Sequence, residues 1–272
     1  MTQTSERFWE RVGQRAKPGD FGATFLSEHH RYGEHVHRME LRRLTPHIGS
    51  GAAVVDVGCG TGRLAVALHD RGATVTAFDL SRALVETARQ ASGGRAIQFE
   101  VGAADAEWPV EPGRADVVLL SGVLNCIDDE GVDRALSQAF DALSPGGTLY
   151  VRNSAACGAR FHREASEDLP PMTYRTGEEY VDRVRAAGFL VREDGYLYAP
   201  LLPPNLVYYH LLPAAVRDRS PISEALDAWF ALERMTDVPR RRWFRSLYPR
   251  LLRKLGKRTA FRVVFATRPG DP

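Results

Sequence analysis

Between residues 51 and 151, short β-branched runs alternate with stretches of helical spacing, and this restricts the chain to folds built from parallel strands and crossover helices. Residues 53–57 (AVVDV) read as a first strand. Residues 62–71 (GRLAVALHDR) follow as a helix with Leu64, Ala67 and Leu68 on one face. A second strand spans 74–78, and Ser81 caps a helix running to about Ala91. Residues 97–101 and 116–120 (DVVLL) give the third and fourth strands. A helix over 130–143 stops at Ser-Pro-Gly-Gly, where Pro145 cannot continue it, and a fifth strand begins at 148–152. Beyond that point the alternation slackens. A helix over 176–187 opens with Thr176 and Glu179 at capping-box spacing, a sixth strand spans 189–198, and a seventh spans 261–267 (FRVVFAT).

The chemistry-bearing stretch is residues 54–64, VVDVGCGTGRL, which puts three glycines at a strand-to-helix turn. Glycine serves where the backbone takes positive φ or where a side chain would block a ligand. The spacing is G-x-G-x-G, and Arg63 occupies the place where a dinucleotide-binding turn wants a small residue. Asp56, two residues before Gly58, suits a cationic ligand rather than a pyrophosphate. Asp79 closes the second strand, and its two oxygens match a vicinal diol. After the third strand, Asp105 can accept from a purine amino group while the amide of Ala106 can donate to a ring nitrogen. All of these lie at the C-terminal ends of successive strands, where ligands bind in open α/β sheets.

VVDVGCGTG, Asp79 in AFDLS, the Ala-Asp-Ala of AADAEW, ADVVLLSGVL and LSPGGTLYV together resemble the class I S-adenosylmethionine (SAM) dependent methyltransferases over residues 51–151. AGF before the sixth strand and FRVVFATRP at the seventh extend the match. The resemblance implies a Rossmann-like α/β fold with helices on both faces of a seven-stranded sheet, its seventh strand antiparallel. It implies a helical cap over 1–50, a SAM-binding core over 51–198, a helical insertion or lid over 199–258, and a last core strand and tail over 259–272. It places Gly58, Gly60 and Gly62 along the methionine moiety of SAM and Asp79 on the ribose. Asp105 and Ala106 then address adenine, Leu80 packs on its face, and Ser121 begins the segment beneath the sulfonium.

Methyl transfer from a sulfonium is an in-line displacement in which alignment carries much of the rate, and a base is needed only for a protonated nucleophile. No unambiguous base stands out. Candidates for contact with the acceptor or the SAM carboxylate are Tyr32, His37 and Arg38 in the N-terminal helix, Asn125 after the fourth strand, Asn153 in the fifth, and Tyr208, Tyr209 and His210 in the insertion. The strand-four segment lacks the motif of nucleic-acid base methyltransferases, and no cluster has metal spacing, so nucleic acid and metal-dependent acceptors are disfavoured. The expected reaction is methylation of O, N or C on a small or lipophilic metabolite. Two alternatives stay open: SAM chemistry of another kind, such as cyclisation or aminocarboxypropyl transfer, and SAM binding without turnover.

Of 36 Lys plus Arg, nine lie between 238 and 258 in a stretch without acids, leaving 27 bases against 34 acids elsewhere. This segment, from Arg240 to Arg258, alternates with Trp243, Phe244, Leu247, Leu251, Leu252 and Leu255. It reads as a solvated helical face paired with the acidic body, or as peripheral contact with an anionic membrane or lipid-linked acceptor. The N-terminal residues are polar without an apolar core, and Cys59, Cys126 and Cys157 form no paired motif, so the expected setting is cytoplasmic. Oligomeric state is not legible.

Overall fold

The computed structural model describes residues 3–19, 30–166, 170–197, 242–254 and 258–270. Two helices open the chain, α1 (Gln3–Arg15) and α2 (His30–Leu44). The core then alternates β1 (Ala53–Val57), α3 (Arg63–His69), β2 (Thr74–Asp79), α4 (Arg82–Ser92), β3 (Gln98–Val101), β4 (Ala115–Ser121), α5 (Asp129–Ala142) and β5 (Leu143–Ala156). A short hairpin, β6 (Phe161–Arg163) and β7 (Met172–Tyr174), precedes α6 (Gly177–Ala186) and β8 (Leu190–Tyr196). Helix α7 (Arg242–Lys254) and β9 (Thr259–Thr267) complete the described elements.

The main sheet has seven strands in the order β3-β2-β1-β4-β5-β9-β8. Strands β1 to β5 pair in parallel, whereas β9 runs antiparallel to both β5 and β8. The strand order therefore reverses between β1 and β4, and the chain leaves both strands at the same end of the sheet. In an open α/β sheet such a switch point opens a crevice for a ligand.

Each face of the sheet is covered by its own apolar layer. Leu120, Leu149, Val151 and Val264 pack against Leu136 and Ala139 of α5 and Val184 of α6. On the other face Val54, Val117, Leu119, Tyr150 and Phe265 pack against Val36 and Met39 of α2, Leu68 of α3 and Ala88 of α4. Continuous burial of Val117, Val118, Leu119 and Leu120 reflects a strand covered on both sides, which is why it reads as an unbroken apolar run.

Ser81 caps α4 by accepting from the Leu84 amide, and Thr176 with Glu179 forms the reciprocal capping box at α6. Three features depart from the sequence expectation. The fifth strand begins directly at Leu143 rather than at 148, because Leu143 already pairs with Ala115, and the register shifts before Thr148 pairs with Val117. The β6–β7 hairpin had no alternating signature, each strand being only three residues long. Helix α7 continues through Pro249, although its missing N–H forfeits one intrahelical bond. Most of the insertion expected over 199–258 lies outside the described residues.

Candidate functional site

The chain leaves β1 at Val57 and turns through residues 58–62 into α3. Gly58 donates its N–H to the Phe78 carbonyl at 2.8 Å, and a Cβ there would collide with Val123 in the loop after β4. Gly62 is the N-cap of α3 and packs against Ala88 and Phe99. Gly60 differs: its φ is 56°, yet a Cβ would meet no atom of the described residues within 4 Å. Of the three, Gly60 is the one whose open face leaves room for a ligand.

Two carboxylates are tied to this turn. Asp79 accepts the Gly60 N–H on Oδ2 at 2.9 Å and the Ser81 N–H on Oδ1 at 3.0 Å. Each oxygen retains a lone pair, so the carboxylate is held in place and still able to accept from a diol. Burial raises its pKa, and these backbone donors oppose the rise. Asp56 is buried within β1, and its Oδ2 finds no hydrogen-bond partner among the described residues. Burial, reinforced by the charges of Glu40 and Asp79, pushes its pKa up to about 7. An orphaned buried carboxylate oxygen is costly unless a donor or cation meets it.

Beside Asp79, Leu80 is half-buried. Past β3, Asp105 is buried with Arg134 Nη2 at 3.7 Å from Oδ2. Ala106 is exposed, and its N–H turns back on the Ala103 carbonyl at a long 3.3 Å. Expected adenine contacts thus lie on one loop, with the amide already weakly engaged.

The centre of the cluster is a residue the motifs do not flag. Glu40 of α2 is only 2% exposed, and its Oε1 accepts from Ser121 Oγ at 2.5 Å, Tyr150 Oη at 3.1 Å and Arg152 Nε at 3.0 Å. Arg152 Nη2 also donates to Ser121 Oγ at 2.7 Å. Ser121 therefore sits inside an ion-pair network where the C-terminal end of β4 adjoins β5. A second cap residue, Glu10 of α1, accepts from Ser81 Oγ at 2.8 Å and adds negative charge near Asp79. The signal was present in the spacing: Val36, Glu40 and Leu44 share one helical face, and a charge between two core positions needs a buried partner.

The remaining candidates separate. His37 is half-buried with its pKa lowered by burial and by Arg63, while Arg38 points to solvent. Tyr32 belongs to α2, but its side chain lies outside the described residues, as do Tyr208, Tyr209 and His210. Asn125 is committed to the fold. Its Nδ2 donates to the carbonyls of Ser154 and Thr173 and to Tyr180 Oη, and its Oδ1 accepts from the Ser154 N–H. Asn153 is buried, and neither side-chain amide atom has a partner among the described residues.

Asp56, Asp79 and Glu40 gather negative charge around an open glycine turn, with Arg152 as the counter-charge. That arrangement fits a ligand carrying a sulfonium and an ammonium, because the orphaned Asp56 oxygen accepts what the chain does not supply. The residues present therefore fit SAM.

Comparison with known proteins agrees. A family described as a methyltransferase domain matches residues 54–147. A trans-aconitate 2-methyltransferase of Streptomyces coelicolor is 30% identical over 234 residues, covering 78% of this chain and 74% of its own. A ubiquinone biosynthesis O-methyltransferase of Xylella fastidiosa is 31% identical over 141 residues, covering 51% of this chain, which spans 52% of that protein's length. Among solved structures, geranyl diphosphate C-methyltransferase from Streptomyces coelicolor superposes with a TM-score of 0.63 at 15% identity, over 98% of this chain and 99% of that one, and so shares the fold. From its residues, its sheet and its relatives, the chain belongs to the class I SAM-dependent methyltransferase family.

Proposed function

We propose that the protein transfers the methyl group of SAM to an O, N or C nucleophile of a small-molecule acceptor. The observation that carries this reading is the Asp79 carboxylate on the N–H of the open Gly60, with the buried Asp56 carboxylate near enough to feel its charge. Bound SAM supplies an electrophilic methyl on a positively charged sulfur. Asp79 anchors the ribose diol, and Gly60 lets the backbone approach the ligand closely. Asp56 and Glu40 favour positive charge and would hold the charged end of the donor, which would supply its methyl group to the acceptor nucleophile and leave as neutral S-adenosylhomocysteine. Asp105 holds the purine edge. No side chain is assigned as a base, since alignment of donor and acceptor supplies much of the acceleration.

The relatives named for ubiquinone biosynthesis and for trans-aconitate support a small acceptor. The decisive experiment uses methyl-labelled SAM with a host metabolite extract, read by untargeted mass spectrometry. Label in a product together with S-adenosylhomocysteine supports methyl transfer. Methylthioadenosine formed without an acceptor would replace it by non-methylating SAM chemistry.

A second reading concerns location. Trp243, Leu247 and Leu251 of α7 are 59%, 53% and 49% exposed at four-residue spacing, while Tyr248 and Leu252 pack inward with Cys157 and Tyr196. Arg250, Arg253 and Lys254 are exposed beside this stripe. An apolar stripe edged by bases suits the surface of an anionic membrane, which would bring the site to lipophilic acceptors.

A further inference from the structure

The hairpin of β6 and β7 stands beside the cofactor cleft without belonging to the parallel core. Its return strand is stitched to the loop after β4: Thr173 donates its N–H to the Asn125 carbonyl at 2.8 Å, and Asn125 Nδ2 donates to the Thr173 carbonyl at 3.0 Å. The other end of that loop touches the glycine turn, since Val123 fills the space a Cβ on Gly58 would need. Cys126, between them, lies within electrostatic reach of both the Asp79 carboxylate and the Arg163 guanidinium. Arg163 lies opposite Met172 across the hairpin, beside the Thr173 that is stitched to this loop.

Its surroundings are unlike those of its neighbours. Arg152 pairs with Glu40, Arg160, Arg175 and Arg183 share Asp129, and Arg262 pairs with Asp194. Among the described residues Arg163 has no carboxylate partner: its Nη2 donates to the thioether sulfur of Met172 at 3.0 Å, its guanidinium lies 5.5 Å from the Tyr174 ring centroid, and its buried Nε meets no acceptor there. A thioether is a weak acceptor. The adjacent Glu164 is turned to His162 instead. A half-buried guanidinium held by a sulfur and by Tyr174 has no anion to balance its charge among the described residues, and a guanidinium matches a carboxylate or phosphate.

We propose that Arg163 binds an anionic group of the methyl acceptor, so that the substrates of this site are small molecules carrying a carboxylate or a phosphate. This assignment rests on the methyl-transfer reading above. Arg163 selects and positions the acceptor on the hairpin side of the cleft, and the glycine turn with its acids holds the donor.

The test has two readouts. Calorimetry first measures S-adenosylhomocysteine binding to wild type, Arg163→Gln, Arg163→Lys and Met172→Glu; absence of binding to wild type brings down the methyl-transfer reading itself. Protein saturated with S-adenosylhomocysteine is then titrated with citrate and, separately, with inorganic pyrophosphate at fixed ionic strength. Methyl label from SAM is also followed into the acidic and neutral fractions of a metabolite extract. The expected result is label in the acidic fraction, or binding of citrate (a carboxylate) or pyrophosphate (a phosphate). Arg163→Gln should weaken either by about tenfold or more, with Arg163→Lys intermediate. Met172→Glu should be as impaired as Arg163→Gln, because an internal carboxylate occupies the fork. S-adenosylhomocysteine affinity and melting temperature should stay unchanged in all three. Label only in neutral products, equal anion affinity in wild type and Arg163→Gln, or no anion binding together with no acidic product overturns the assignment. A parallel loss of S-adenosylhomocysteine affinity in Arg163→Gln also overturns it, by showing a structural role.

Discussion

Glu40 and Arg152, 112 residues apart in sequence, meet with Oε1 and Nε 3.0 Å apart at the junction of the helical cap and the sheet. The pair fastens α2 to the strand β5 beside the C-terminal end of β4. Removing one partner leaves the other buried and uncompensated. Glu40→Ala should cost about 3 kcal/mol of stability, read by chemical denaturation. The double replacement Glu40→Leu with Arg152→Leu should recover most of that loss while SAM binding stays weakened. Equal stability of wild type and Glu40→Ala would show the pair to be inert.

Asp79→Ala removes the acceptor of the Gly60 and Ser81 amides and, in the proposed function, of the ribose diol. Hydrogen bonds to a charged group are worth about 1.5–3 kcal/mol each, so SAM affinity should fall by at least tenfold in calorimetric titration. An unchanged dissociation constant removes Asp79 from the site.

The glycines should respond differently. Gly60→Ala introduces a side chain at φ 56° into open space, so stability should fall by about 1 kcal/mol while SAM affinity drops far more. Gly58→Ala drives a Cβ into Val123 and should chiefly lower the melting temperature. Identical profiles for the two variants would refute the distinction.

Asp56 titrates at about 7 in the fold against an ordinary 3.8. Between those values the folded state keeps a proton that the unfolded chain has lost. The stability this confers is therefore full below the lower value and disappears as pH rises through 7. Melting of the ligand-free protein should fall from about pH 5 to pH 8, and Asp56→Asn should flatten the slope. A cationic ligand favours the ionised form, so SAM binding near pH 6.5 should release a proton, seen as a dependence of binding enthalpy on buffer. No such dependence would exclude Asp56 from contact with positive charge.

For α7, co-sedimentation with vesicles containing anionic lipid should retain the wild type and lose a variant with Trp243, Leu247 and Leu251 changed to Ser. Neutral vesicles should retain neither. Equal sedimentation of both proteins would assign the basic segment to internal or solvent contacts.

Much of this architecture is legible without coordinates. The parallel core, the caps at Ser81 and Thr176, the glycine turn and Asp79 follow from short-range rules, because strand periodicity, capping and turn chemistry act over a few residues. Hairpin β6–β7 was not legible, since three-residue strands carry too little alternation to be seen. Glu40 and Arg152 were half-legible: a charge on an apolar helical face announces a partner without naming it.

What the chain determines by itself is the order of its elements and the chemistry at each strand end, both properties of neighbours in sequence. Tertiary structure alone decides that Glu40 meets Arg152, that Asn125 is spent on β5, β7 and α6, and that Arg163 faces a thioether in place of a carboxylate. Such pairings depend on how separate elements pack, and burial then sets their energy: the same charges would count for little in water and count heavily here.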